Sequence, residues 1–239
     1  MKFNPPLIKT TLIKRHKRFL ADVTHPEMGD FTAHCPNTGS MKNCWAEGDS
    51  AWLLDSENPK RKYRYTWVIN ETRGGHMICI NTHLANQLVM EGIENGIIHE
   101  LQGYAQVQQE VKYGDENSRI DLLLTAPDRS DCYVEIKTVT LLESGDDFEK
   151  GAGFFPDAVT TRGQKHLREL IEMKQQGHRA VLFFLVQHSG IQTVDAAKHI
   201  DQKYADLYDQ ARQAGVEVIA YQSAITANEM TIKQAIEVV

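Results

Sequence analysis

The spacing of apolar residues divides the chain into two textures. Up to residue 81, apolar positions fall in short runs at 11–13, 19–23, 31–34, 51–54, 65–70 and 77–80. Between them stand Pro26, Gly29, Pro36, Gly39, Gly48, Pro59 and the pair Gly74-Gly75. No helical period connects these runs, so the segment predicts short strands joined by tight turns. From Asn81 the period changes. Leu84, Leu88, Val89 and Ile93 recur at helical spacing behind Asn81 or Thr82 as cap, and the pattern stops near Gly96.

A strand at 107–113 follows, then two apolar runs at 118–125 and 132–139 around a turn-forming stretch at 126–131. Residues 141–159 are glycine-rich and acidic and predict a mobile surface loop. Thr161 with Gln164 three residues on fits a capping box for a helix whose buried stripe is Leu167, Leu170 and Ile171, ending at Gly177. The run at 180–186 is a fully apolar strand. Residues 196–214 predict a helix with Ile200, Tyr204, Leu207, Tyr208 and Ala211 in phase, and 216–221 a last strand. The order from 82 onward is α-β-β-β-α-β-α-β, giving a mixed α/β chain with domains 1–81 and 82–239. About five short strands in roughly eighty residues is the size of a small barrel such as the OB-fold, which binds single strands in many proteins.

The hairpin at 118–139 carries the chemistry. Period-2 geometry puts Glu135 and Lys137 on one face of their strand and Val134 and Ile136 on the other. With the turn centred near Arg129, Asp121 lies opposite Lys137 and diagonal to Glu135. Two carboxylates and an ammonium at one end of an apolar hairpin are costly unless something uses them. A Mg²⁺ or Mn²⁺ ion held by Asp121, Glu135 and the Ile136 carbonyl would do so, since such ions take one or two carboxylates plus water. Lys137 would then position or deprotonate water, or stabilise charge on a phosphorane. Glu110, on the preceding strand, would bind a second ion or hold metal-bound water. The alternative for Glu135-x-Lys137 alone is a surface ion pair.

The net charge of −6 speaks against a nucleic-acid partner, but its distribution does not. Residues 1–85 carry 12 Lys+Arg against 8 Asp+Glu, a net of +4. Two clusters stand out there. One is Lys14-Arg15-His16-Lys17-Arg18; the other, Lys60-Arg61-Lys62-Tyr63-Arg64-Tyr65, is interleaved with aromatics and followed by Trp67. Each alone reads as a solvated face; together they point to phosphate contact with base stacking. Arg162, Gln164, Lys165 and His166 open a helix, where free N–H groups favour a phosphate.

Cys35, Cys44, Cys79 and Cys132 form no CxxC pair, and the first residues hold no apolar export signal, so the thiols read as reduced and the chain as cytoplasmic. His34, Cys35 and Cys44 lack the second half of a zinc site. His188, behind the apolar strand, reads as a partly buried histidine. No apolar run approaches membrane-spanning length, and no helix-turn-helix signature is present.

The acid–x₁₃–Glu-x-Lys pattern and the order of elements resemble the PD-(D/E)xK restriction-endonuclease-like superfamily over residues 82–239. Taken whole, the chain resembles the sugar fermentation stimulation protein family of bacteria. The resemblance rests on His34-Cys35-Pro36-Asn37-Thr38-Gly39, Glu110-Val111-Lys112-Tyr113-Gly114, Ser118-Arg119-Ile120-Asp121, Phe155-Pro156-Asp157-Ala158-Val159 and Arg162-Gly163-Gln164-Lys165-His166-Leu167. It implies an OB-like N-terminal part, a nuclease-like C-terminal part, DNA binding, and a tie to regulation of sugar (maltose) metabolism. Related nucleases use a Gln-x-x-x-Tyr helix, whereas the fourth residue after Gln164 here is Arg168. Two functions follow as expectations: a metal-dependent nuclease, or a DNA-binding regulator that keeps the scaffold without cutting.

Overall fold

A computed structural model describes residues 1–114 and 118–239. Six strands fill the first part: β1 (Ile8–His16), β2 (Leu20–His25), β3 (Gly29–His34), β4 (Ser50–Asp55), β5 (Tyr65–Glu71) and β6 (Met77–Cys79). They run in the order β3-β2-β1-β4-β5-β6, and a further pairing of β3 with β5 at His34↔Thr66 closes the first five into an OB-like barrel. Closure removes the exposed edges that a small open sheet would present. The alternating positions Leu12, Val23, Ala33, Leu53 and Trp67 point inward, and all are buried.

Asn81 caps a 3-10 turn at Thr82–Leu84, which leads into α1 (Ala85–Glu94). Then come β7 (Gln106–Tyr113), β8 (Ser118–Ala126) and β9 (Arg129–Val139). These are followed by β10 (Leu141–Leu142), β11 (Ala152–Phe155), α2 (Thr161–Gln175), β12 (Arg179–Val186) and β13 (Thr193–Ala196). The last elements are α3 (Gln202–Gln213), β14 (Glu217–Ile225), β15 (Met230–Ala235) and β16 (Glu237–Val238). The main sheet has the order β15-β14-β12-β9-β8-β7, antiparallel from β7 to β9 and parallel through β9, β12 and β14. α1 covers one face, packing Leu88, Val89 and Ile93 against Leu122, Val134 and Phe183. α2 and α3 cover the other with Leu167, Leu170, Tyr204 and Tyr208 against Leu182 and Phe184. Burial of both faces explains the unbroken apolar run of β12. The result is a mixed sheet layered between α1 on one face and α2 with α3 on the other.

Several sequence expectations need correction. The segment 141–159 is not a free loop, because β10 and β11 join β13 and β16 in a second, four-stranded sheet. The cap of α2 is Thr160, whose side chain accepts from Gly163 N, so the helix starts one residue early for a capping box. Residues 197–201 are not helical; α3 begins after Asp201, whose carboxylate accepts from Tyr204 N. β14 continues to Ile225, and two strands follow it. Finally, the hairpin turns on Pro127-Asp128, with Ala126 paired to Arg129. The register Leu122↔Val134 then sets Asp121 against Glu135, not Lys137.

The barrel is fastened to the second part by side chains of the loop after β3. Ser40 Oγ and Met41 N donate to Asp157 Oδ2 at 2.7 and 2.9 Å. Lys42 Nζ donates to the buried Glu143 at 2.6 Å. Backbone bonds from Cys79 N to Gln187 O and from Ser189 N to Met77 O tie β6 to the chain after β12. Among the described residues, no helix is long and apolar enough to cross a membrane.

Candidate metal centre and nucleic-acid surface

The β8–β9 ladder stops at Leu122↔Val134, and the strands diverge. In the gap, Asp121 Oδ2 accepts from Ile136 N at 2.7 Å, replacing a lost ladder bond. The neighbouring ladder is also interrupted: Gln109↔Leu122 and Val111↔Ile120 flank Glu110 and Asp121. Glu110 there has a φ of 54°, a left-handed backbone that costs a non-glycine residue about 1 kcal/mol or more. Both acids line one cleft of about 350 Å³, together with Thr82, His83, Asn86, Glu135, Lys137, Phe155, Arg162 and His166. Asn86 Nδ2, from the first turn of α1, bridges Asp121 Oδ1 at 3.2 Å and Glu110 Oε1 at 3.5 Å.

Glu135 lies deeper. Its side chain is 2% exposed, and its Oε1 accepts from Lys137 Nζ at 2.6 Å and touches His166 Nδ1. Its Oε2 is buried with no hydrogen-bond partner. Burial pushes the Glu135 pKa up, but the Lys137 charge and the hydrogen bonds from His166 and Lys137 outweigh it and hold the group below its usual range. Asp121 goes the other way. Burial, then the Glu135 charge, raises it from 3.8 to about 6, against the Ile136 N–H, Lys137 and Asn86.

An unpartnered buried carboxylate oxygen beside a second, reluctant carboxylate is a site that lacks positive charge. A divalent cation fits that need, and the donors are the hard oxygens that Mg²⁺, Mn²⁺ and Ca²⁺ prefer. Among the described residues, no three His, Cys, Asp or Glu side chains form a cage. The ion would therefore take Asp121 and Glu135 and complete its shell with water. The zinc alternative has no support in the packing: Cys35 Sγ faces Met41 Sδ and Asn37 O, and Cys44 Sγ faces Lys42 O and Thr140 O.

The other site candidates separate. Gln164 is 4% exposed and gives its amide to both Asp201 oxygens at 3.0 Å, away from the cleft. Arg162 and His166 line the cleft and Lys165 does not. His166 is buried, with both ring nitrogens in contact with neighbours, so it is not the exposed phosphate ligand its helix position suggests. His188 is 2% exposed, and burial beside His76 pulls its pKa down to about 4.

In the barrel, Arg15 is structural: its guanidinium donates to the carbonyls of Arg18, Asn37, Gly39 and Ser40. That clasp shapes the β1–β2 turn, where Lys17 and Arg18 are exposed and left-handed at φ 50° and 64°. Lys14 Nζ lies 3.6 Å from Asp22. Arg64 makes a forked pair with Asp55 and lies over Tyr65, and Lys62 lies over Tyr63. Arg61 Nη1 donates to Thr66 Oγ1, and Lys60 is exposed. Tyr65 packs on Phe31 at 5.0 Å and contacts the exposed Met28, making an apolar platform rimmed by cations. Burial, then the nearby charges of Arg61 and His83, lower the His34 pKa.

Sequence reading missed Asn86, His83, Thr82 and Phe155. Asn86 looks like any polar position on a helix surface, and Phe155 lay in the segment read as a loop.

Comparison with known proteins supports the architecture on both sides of this cleft. A family model described as the SfsA N-terminal OB domain matches residues 13–80, and one described as the sugar fermentation stimulation protein RE domain matches residues 83–229. A sugar fermentation stimulation protein homolog of Psychromonas ingrahamii is 58% identical over 92% of this chain and 96% of its own length. One from Shewanella frigidimarina is 55% identical over 100% of this chain and 99% of its own. Among solved structures, Pyrococcus furiosus SfsA in complex with Ca²⁺ matches with a TM-score of 0.86 and 26% identity, covering 100% of this chain and 98% of the other. On fold and sequence alike, the chain belongs to the sugar fermentation stimulation protein family.

Proposed function

We propose that this protein binds DNA and cleaves its phosphodiester backbone with a divalent metal ion, Mg²⁺ or Mn²⁺, at the Asp121–Glu135–Lys137 site. The observation that carries the reading is Glu135 Oε2, buried without a partner beside Asp121 and Lys137. The relative solved with Ca²⁺ supports a hard cation in this family.

A bound ion would polarise a non-bridging phosphate oxygen and lower the pKa of a water. Asp121 and Glu135 would hold it, and the Ile136 carbonyl is a further oxygen within the same strand. Asn86 keeps the Asp121 and Glu110 carboxylates at a set spacing through one amide group. Lys137 places a positive charge beside Glu135, where it stabilises the extra negative charge of a pentacoordinate phosphorus. Arg162, at the rim of the cleft and in the first turn of α2, would take a backbone phosphate. Lys17, Arg18, Lys60 and Lys62 would hold the strand electrostatically, and Tyr65 with Phe31 would stack bases without reading sequence. The buried, free thiols fit a cytoplasmic protein.

One observation favours a second reading, DNA binding without cleavage. Lys137 Nζ is already bonded to Glu135 and 3.1 Å from His166, so it is not free to deprotonate water.

A single experiment separates the two. Purified protein is incubated with single- and double-stranded DNA in Mg²⁺, in Mn²⁺ and in chelator, and both mobility shift and cleavage are recorded. Cleavage that needs metal and disappears in Asp121→Asn and Lys137→Ala supports the nuclease. A shift with no cleavage under any metal leaves the binding protein.

A further inference from the structure

His166 projects from the second turn of α2 into the floor of the cleft and is 5% exposed. Its two ring nitrogens meet different chemistry. Nε2 receives the Nε–H of Arg162 at 3.4 Å. A guanidinium only donates, so Nε2 carries a lone pair and no proton. The ring N–H is then on Nδ1, and Nδ1 is against Glu135 Oε1, a carboxylate oxygen that only accepts. Lys137 Nζ donates to the same Oε1 at 2.6 Å. Its 3.1 Å approach to Nδ1 is therefore two donors crowded on one acceptor, not a Lys–His hydrogen bond. The outcome is asymmetric: Oε1 receives two donors, and Oε2, also buried, receives none.

We infer that His166 is a positioning residue for the metal centre: held by Arg162 as the Nδ1–H tautomer, it fixes Glu135 Oε1 so that Oε2 is presented to the cation. The inference rests on the reading of Asp121 and Glu135 as metal ligands. It gives α2 a role in the centre that neither Gln164 nor a general phosphate-binding helix start supplies. Carboxylates that ligate metals are themselves held by hydrogen bonds, and losing such a partner weakens metal affinity about 10–100-fold.

The test uses the full chain and the metal alone. Mn²⁺ is titrated calorimetrically into wild type, His166→Ala, His166→Asn and Glu135→Gln, with folding of each checked by its thermal transition. Nitrogen NMR of the wild-type imidazole, recorded without metal, reports the tautomer directly and needs no variant. The expected results are an Nδ1–H ring, a loss of about 10–100-fold in affinity for His166→Ala, and recovery to within a few-fold for His166→Asn, whose amide N–H stands near the Nδ1 position. An Nε2–H ring in the wild type overturns the inference. So does wild-type affinity in His166→Ala, or Asn no better than Ala, while Glu135→Gln still abolishes binding. If wild type takes up no Mn²⁺, or Glu135→Gln does not alter uptake, the metal-site reading itself fails and this inference falls with it.

Discussion

Removing the Asp121 charge should stabilise the metal-free protein, and only above a certain pH. In the fold the Asp121 pKa rises from 3.8 to about 6, mainly through burial and then through Glu135. A raised carboxylate pKa means that the folded state keeps a proton the unfolded chain gives up. Below pH 3.8 both states are protonated and the group contributes nothing. Between there and about pH 6 the folded state loses ground, and above that the penalty is constant. Two pKa units correspond to about 3 kcal/mol, an upper figure for a group at the edge of a cleft.

Asp121→Asn keeps an oxygen to accept the Ile136 N–H and has no charge to bury. In chelator at pH 7.5 the variant should be about 2–3 kcal/mol more stable than wild type, and its melting temperature about 5–10 °C higher for a chain of this size. The gain should fade toward pH 4. Mn²⁺ at about a thousand times its dissociation constant should reverse the order, since it adds about 4.1 kcal/mol to the form that binds it. Differential scanning fluorimetry from pH 4 to 8, with and without metal, measures all of this. Equal or lower stability of the variant at pH 7.5 in chelator, or a difference that does not change with pH, would refute the reasoning.

Four other outcomes are expected. Arg15→Ala should lower stability by about 1–3 kcal/mol, because it frees carbonyls now held by a charged donor, and should leave the salt dependence of DNA binding alone. Lys17→Ala with Arg18→Ala should do the opposite, reducing the slope of log affinity against log salt by about 1–2 in a filter-binding series. Tyr65→Ala should weaken single-strand binding by about 1–3 kcal/mol in fluorescence anisotropy, with duplex binding less affected. Glu143 is held below its usual range by Lys42 and His199 against the effect of burial. Its stabilisation is complete above its unfolded pKa of 4.5 and lost as pH falls below it. Hydrogen exchange in residues 40–44 should accelerate under those conditions, and Glu143→Gln should do the same at pH 7.

The part of this molecule legible in the sequence is the part governed by local rules. Strand alternation and punctuating glycines and prolines located β1 to β6, and the apolar run of β12 followed from burial on both faces. The hairpin showed which three charges meet. It did not show their register, because the turn closes on Pro127-Asp128 rather than Arg129, and a bulge lies between Leu124 and Ala126. β10 and β11 were hidden for a different reason. They are short pieces of a glycine-rich, acidic segment, and β11 is held as a strand by pairing with β13, about forty residues on, with β10 paired in turn to β11. The basic clusters show the same limit: charge was visible in the sequence, but whether an arginine clasps carbonyls, as Arg15 does, or faces solvent, as Arg18 does, depends on distant chain. Gln164 fits a helix start by spacing, yet the fold turns it to Asp201.

The most direct test is where a metal sits. Crystals soaked in Mn²⁺ and recorded at the manganese edge should show one anomalous peak within about 2.0–2.4 Å of Glu135 Oε2 and an Asp121 oxygen, the remaining positions being the Ile136 carbonyl and water. The peak should vanish in Glu135→Gln. No peak in the cleft at saturating Mn²⁺, or a peak bound elsewhere and indifferent to Glu135, would contradict the account.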